Sequence, residues 1–409
     1  ATTITGLVAD LTSTTTAIQT VTVATAATIT LGLGSDTTTT DVITATALSD
    51  GQVLTMTGAS AATVSFDEGD ITAPAYTGAL TVTGTGTTGQ FTTGTVSSSI
   101  SSTGATAIVA TAMADGQTLT VSGAGANTIT GLSADLTSTN TGIQTVTVAD
   151  VATITLGMGT DTTTADVITA TALTDGDLLT LTGSSAATVA IGVADLTATA
   201  YIGVLTITTG NGTTNILSGL GRDVITGGTG ADIIHGGGAG DSITAGAGAD
   251  IVKWTATTAA LMATESGAAT GDTDFIAGSV GDKVVAVASG SDKLHFAAAL
   301  VTNAIGTESD TLLTIGAGGT VTNAARFVEI TADFGDGTTG NAITVLNALT
   351  TTAVAVGDSF IAFMNDGTNG YLFLVQQVSA ADVIADQDVT LIGQITAVTT
   401  VADGDLVSF

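Results

Sequence analysis

Gly227-Gly228-Thr229-Gly230-Ala231-Asp232-Ile233-Ile234-His235 is the stretch whose reading decides the fold. Its frame recurs every nine residues, with aspartates at Asp223, Asp232, Asp241 and Asp250. Two residues after each aspartate stands an apolar side chain: Ile225, Ile234, Ile243 or Val252. Glycine adopts positive φ without a steric penalty, so the first half of each nonad turns sharply. The second half alternates polar and apolar residues and reads as a short strand. Two nonads make one coil of a parallel β-roll. Asp223 and Asp241 are then expected on one edge, Asp232 and Asp250 on the other, with the apolar residues filling a narrow core. Ser218 and Ala245 replace the first glycine of the frame, and Ala239 replaces the third.

A longer repeat surrounds this block. Residues 1–83 align without a gap on 126–208, with 59 of 83 positions identical. Five aspartates stay in register across the 125-residue period: Asp10/Asp135, Asp36/Asp161, Asp41/Asp166, Asp50/Asp175 and Asp70/Asp195. Beyond residue 83 the correspondence continues weakly, and Ser98 and Thr106 face Asp223 and Asp232. The first copy thus reads as a version of the aspartate block that has lost its carboxylates, which makes the block continuous with the rest of the chain.

Runs such as Thr20-Val21-Thr22-Val23 and Leu205-Thr206-Ile207-Thr208 alternate with period two, and Gly, Asp-Gly and Ser-Gly punctuate them. The expected fold is all-β: a β-solenoid or parallel β-roll with a β-rich C-terminal cap. Tandem β-sandwiches are the alternative. The expected segments are 1–125 and 126–209 (two repeat units), 210–253 (the aspartate roll) and 254–409. One short helix is expected at 256–264. A hairpin is expected around Asn365-Asp366-Gly367.

Charge narrows the function. No lysine or arginine precedes Arg222, whereas that stretch holds fifteen acidic residues, and the whole chain carries a formal charge of -31. Nucleic acid is excluded as a partner, because phosphate contacts need Lys and Arg. So negative a chain repels itself and calls for bound cations. No apolar stretch is long enough for a transmembrane helix, and Ala1-Thr2-Thr3-Ile4 does not begin a signal peptide. Cysteine is absent.

Catalytic material is scarce. There is no cysteine nucleophile, no His-Glu-x-x-His and no Gly-x-Ser-x-Gly. His235 and His295 are the only histidines and read as turn and strand residues. Trp254 is expected to cap the roll. Asp67-Glu68 face Gly192 and Val193 in the second copy, which favours a calcium ligand or a solvated turn over a catalytic acid pair. The expectation is a protein that is not an enzyme.

The cation that suits the nonads is calcium, which takes six to eight hard oxygens in a flexible cage. Turn carbonyls and one carboxylate per nonad are such oxygens. Residues 218–253 resemble the calcium repeats of RTX proteins exported by type I machinery. The Thr/Ala/Gly-rich, cysteine-free, lysine-poor chain is similar to RTX-type S-layer proteins of Gram-negative bacteria. The resemblance implies that Asp223, Asp232, Asp241 and Asp250 bind Ca2+ together with the carbonyls of Gly219, Gly221, Gly228, Gly230, Gly237, Gly246 and Gly248. It also implies that Asp272–Ile276, Gly281-Asp282-Lys283 and Ser291–Phe296 supply the strand pair that follows such rolls, and that Asp405-Leu406-Val407-Ser408-Phe409 ends an export signal. The function expected is a secreted, extracellular structural protein of the cell surface that self-assembles into an S-layer or fibrous array. Its partners would be further copies of itself, with cell-surface polysaccharide as a candidate anchor. The alternative is the noncatalytic C-terminal part of an RTX adhesin or secreted enzyme.

Overall fold

A computed structural model describes residues 1–35, 39–160, 164–256, 260–262, 282–285, 292–300, 312–315, 320–322, 326–333, 344–346, 350–352, 358–376, 389–398, 400–402 and 405–408. The described chain is nearly all β, built of parallel stacked coils as a β-solenoid, with a small antiparallel sheet near the C-terminus. It divides into two compact units, residues 1–195 with 200–203, and residues 196–199 with 204–409.

In the first unit, successive strands alternate between two parallel sheets. Gln19–Val23 pairs with Thr40–Ala45, which pairs with Ala61–Phe66, then Leu80–Gly84, Ser98–Ser102 and Thr118–Gly123. The intervening strands form the second sheet, as in Thr28–Gly32 with Val53–Thr57 and Asp70–Thr72. Period-two alternation puts one residue in two inward. Val21, Ile43, Val64, Val82, Ile100 and Val121 stack in register at 1% exposure or less. Each such side chain contributes about 1.5–3 kcal/mol by leaving water. β-Branched residues suit this column because a pleated backbone accommodates their restricted χ1.

The two sequence copies keep the same pairing register. Thr2, Thr3, Ile4 and Leu7 pair with Gln19, Thr20, Val21 and Val23. Asn127, Thr128, Ile129 and Leu132 pair with Gln144, Thr145, Val146 and Val148, the bulge included. They do so in opposite sheets, because thirteen strands precede Asn127 among the described residues. An odd number of strands amounts to six and a half coils, so the repeat changes face.

The second unit contains the aspartate block. Leu196 and Thr197 pair with Ile216 and Leu217, and Leu205–Thr208 pairs with Val224–Thr226. The block is therefore laddered directly to the end of the second copy, as its sequence continuity predicts. Asp282–Val285 pairs with Ser242–Thr244, and Lys293–Phe296 pairs with Ile251–Trp254. These two strands are not a pair with each other: they lie in different sheets and extend the coils. Asp272–Ile276 lies outside the described residues.

Ser359–Asn365 and Gly370–Gln376 form the expected antiparallel hairpin, with Asn365 opposite Gly370, and Val389–Ile395 adds a third antiparallel strand. Their inner faces supply Phe360, Met364, Tyr371, Phe373 and Leu391 to a core shared with Val328 and Ile330. Of the helix expected at 256–264, residues 260–262 are helical, residue 256 is not, and the remainder lies outside the described residues. No described helix is long and apolar enough to cross a membrane.

Candidate metal centre

Each aspartate of the nonads immediately precedes a short strand: Val224–Thr226, Ile233–His235, Ser242–Thr244 or Ile251–Trp254. Ile225 pairs with Ile243 and Ile234 with Val252, all four buried. Residues eighteen apart therefore stack, and the aspartates fall into two columns as their spacing predicts. Asp223, Asp232, Asp241 and Asp250 are 0–2% exposed.

One carboxylate oxygen of each clamps the preceding coil. Asp223 Oδ1 accepts from Leu205 N–H (2.8 Å), and Asp241 Oδ1 accepts from Asp223 N–H (2.8 Å). In the other column Asp232 Oδ1 accepts from Thr214 N–H (2.9 Å) and the Thr214 hydroxyl (2.8 Å). Asp250 Oδ1 takes Asp232 N–H (2.9 Å), and Asp292 Oδ1 takes Asp250 N–H (3.1 Å).

The second oxygens differ. Asp223 Oδ2 accepts from Gly219 N–H (3.1 Å) and from the hydroxyl of Ser218, the residue that replaces the first glycine. Asp232 Oδ2 accepts from Gly228 N–H (3.2 Å). Asp250 Oδ2 is buried with no hydrogen-bond partner. A buried anionic oxygen left so is costly, and a cation relieves it. Burial pushes the Asp223 carboxyl above its ordinary value, against the bonds from Ser218, Leu205 and Gly219. It raises Asp250 as well; there the Asp232 N–H opposes the shift, while the charges of Asp292 and Asp232 reinforce it. The Arg222 side chain donates to the Gly240 carbonyl (3.2 Å).

The glycines stack coil on coil. A Cβ on Gly228, Gly230, Gly237, Gly246 or Gly248 would fall 1.4–2.2 Å from the carbonyl oxygen eighteen residues earlier, on Gly210, Gly212, Gly219, Gly228 or Gly230. Gly237 and Gly246 also have φ of 96° and 109°. Gly219 and Gly228 carbonyls accept N–H groups from Gly238 (2.8 Å) and Ala247 (3.0 Å), and each keeps a second lone pair. Gly221 is buried in the bend before Arg222. Among the described residues no three His, Cys, Asp or Glu side chains converge. A cation here would draw mainly on backbone carbonyls with one carboxylate from each nonad, a set that fits calcium and not a soft metal.

Five of the aspartates kept in register, Asp10, Asp41, Asp70, Asp135 and Asp166, hold coils together. Asp41 Oδ1 accepts from Gln19 N–H (2.8 Å) and Asp166 Oδ1 from Gln144 N–H (2.7 Å). Asp10 and Asp135 accept from Thr30 N–H (2.7 Å) and Thr155 N–H (2.8 Å), and Asp70 from Gln90 N–H (3.0 Å). Asp36 and Asp161 lie outside the described residues. Ser98 and Thr106 are buried at the starts of Ser98–Ser102 and Thr106–Val109. Asp67 Oδ1 accepts from the Thr85 hydroxyl (3.0 Å), and Glu68, at the surface, accepts from Thr87 and Thr88 N–H. The Thr88 hydroxyl, followed by the Thr87 N–H, holds the Glu68 carboxyl below its usual range. These two acids cap the next turn.

Trp254 does not end the roll. It stacks on Phe296 of the next coil at 5.1 Å and 5°, with both rings buried. His235 Nε2 lies 3.1 Å from the Thr255 hydroxyl. Burial, then Lys253 and Lys293, push the His295 imidazole down. Sequence reasoning missed one buried polar group present in both copies: Tyr76 donates to the Ser60 carbonyl (2.5 Å) and Tyr201 to the Ser185 carbonyl (2.7 Å). Burial, with Asp41 nearby, pushes the Tyr76 hydroxyl far above its ordinary value. Identity of Tyr76/Tyr201 and Ser60/Ser185 across the copies was the available signal. No family model, curated protein or solved structure matches this chain.

Proposed function

We propose that the chain is a secreted structural protein of the cell surface whose RTX-type roll binds calcium, and which assembles with calcium into an S-layer or fibrous array. The observation that carries this reading is the double column of buried aspartates, with Asp250 Oδ2 sealed from water and unpartnered. The coils serve as a scaffold, and no residue is assigned a catalytic role. A net charge of -31 on each copy opposes close packing of neighbours. Monovalent salt screens such repulsion only beyond about 8–10 Å, whereas calcium bridging carboxylates removes it at the contact.

The test is assembly of purified chain at low salt, followed by light scattering and electron microscopy. Calcium should produce ordered sheets or filaments, chelator should disperse them, and magnesium should substitute poorly because it gives up its waters reluctantly. Equal assembly in excess chelator would contradict the reading.

A further inference from the structure

The geometry points to a second binding surface, and we propose that the outer face of the sheet from Gln19–Val23 to Thr118–Gly123 binds ice. Its six strands share two outward positions, Thr20/Thr22, Val42/Thr44, Thr63/Ser65, Thr81/Thr83, Ser99/Ser101 and Thr120/Ser122, and three of them add a further outward residue at the start, Thr40, Ala61 or Thr118. Pairing aligns the shared positions in two straight rows, Thr20–Val42–Thr63–Thr81–Ser99–Thr120 and Thr22–Thr44–Ser65–Thr83–Ser101–Ser122. Every position in the rows but Val42 carries a hydroxyl, and neighbouring rungs touch, with Ser99 Oγ donating to Thr81 Oγ1 (3.4 Å). The backbone sets these side chains on a net of about 4.8 Å across strands and about 6.6 Å along them.

This face is uncharged on a molecule of charge -31. Asp41 is buried, Asp50, Asp67, Glu68 and Asp115 lie in turns and bends, and Asp70 belongs to the other sheet. An ionic ligand therefore has nothing to pair with. A sugar chain has no aromatic ring to stack on. A second copy would bury only about 400 Å² per partner here, from six rungs at the usual strand spacing, against about 800 Å² in a standard interface. The remaining ligand is neutral and has its own lattice of donors and acceptors at these spacings. The oxygen rows on the surface of ice meet that description. β-Branched threonine holds its hydroxyl in few rotamers, so little entropy is lost on docking, and its methyl group covers the gaps between water positions.

The test uses the full chain in calcium buffer, with ice growth observed on a nanolitre osmometer. Faceted crystals and a gap between melting and freezing temperatures are expected. Thr81→Tyr, which interrupts the first row with a bulky ring that stands above the face while leaving the core untouched, should abolish the gap with unchanged circular dichroism. Thr206→Tyr, outward on Leu205–Thr208 in the second unit, should leave the gap intact. Round crystals with no gap from the folded wild type would overturn the proposal, as would full activity in Thr81→Tyr. A change in oligomeric state without any effect on ice would also overturn it and mark the face as a contact between copies.

Discussion

Ala239 stands where the other three nonads carry Gly221, Gly230 or Gly248, and it is held at φ 67°. A left-handed backbone costs an L-residue about 1–2 kcal/mol, part of which glycine returns through its freer unfolded chain. Ala239→Gly should therefore stabilise the roll by about 1 kcal/mol, read as a higher denaturation midpoint with calcium present; a lower midpoint would contradict this. The raised carboxyls of Asp223 and Asp250 give a second test. An acid raised on folding weakens the fold once pH exceeds that raised value, and the lost stability returns as pH falls through it. In chelator the roll should gain stability on acidification from neutral pH. In calcium it should lose stability, because the ligands must be ionised. Trp254, the sole tryptophan and four residues beyond Asp250, reports both melts by fluorescence. Slopes of the same sign in the two buffers would contradict the assignment. The positions of these aspartates were legible from spacing alone. The differing partners of Asp223 and Asp250 were not, since the Ser218 hydroxyl meets Asp223 only after the turn has closed.

Strands were legible wherever two-residue alternation was clean, and Gln19–Val23 and Leu205–Thr208 stand where it places them. The change of face between repeat copies was not legible, because it depends on the parity of strand number and coil lengths vary. The role of the kept aspartates was hidden for a related reason: their acceptor bonds reach the adjacent coil, twenty or twenty-two residues away. Asp41→Ala and Asp166→Ala each leave a buried N–H, of Gln19 or Gln144, without its acceptor, which costs about 1–3 kcal/mol. Equal losses in chemical denaturation are expected from the two variants. A loss in one and none in the other would show that equal register does not mean equal work. At the far end, Leu406–Ser408 pairs with Lys293–Phe296 as an edge strand with Leu406 buried.

At the scale of the whole molecule, thirty-six acidic residues face five Lys and Arg, and four of those acids are sealed in the roll. Hydrophobic columns stabilise the coils, yet they do nothing for the buried charge. A bound calcium at a hundred times its Kd would add about 2.7 kcal/mol per site, enough to matter for a fold of ordinary stability. The all-β solenoid could be read from the nonads and the long repeat together. Calcium occupancy is our proposal from donor chemistry and burial, and a direct measurement tests it. Titration calorimetry of calcium into the chelator-stripped chain tests it most directly, with Asp232→Ala/Asp250→Ala as the comparison. Two or more ions should bind the wild-type chain and fewer should bind the double variant, with a parallel rise in melting temperature for the wild type. No binding heat, or a stoichiometry and affinity unchanged in the double variant, would contradict a calcium-held roll.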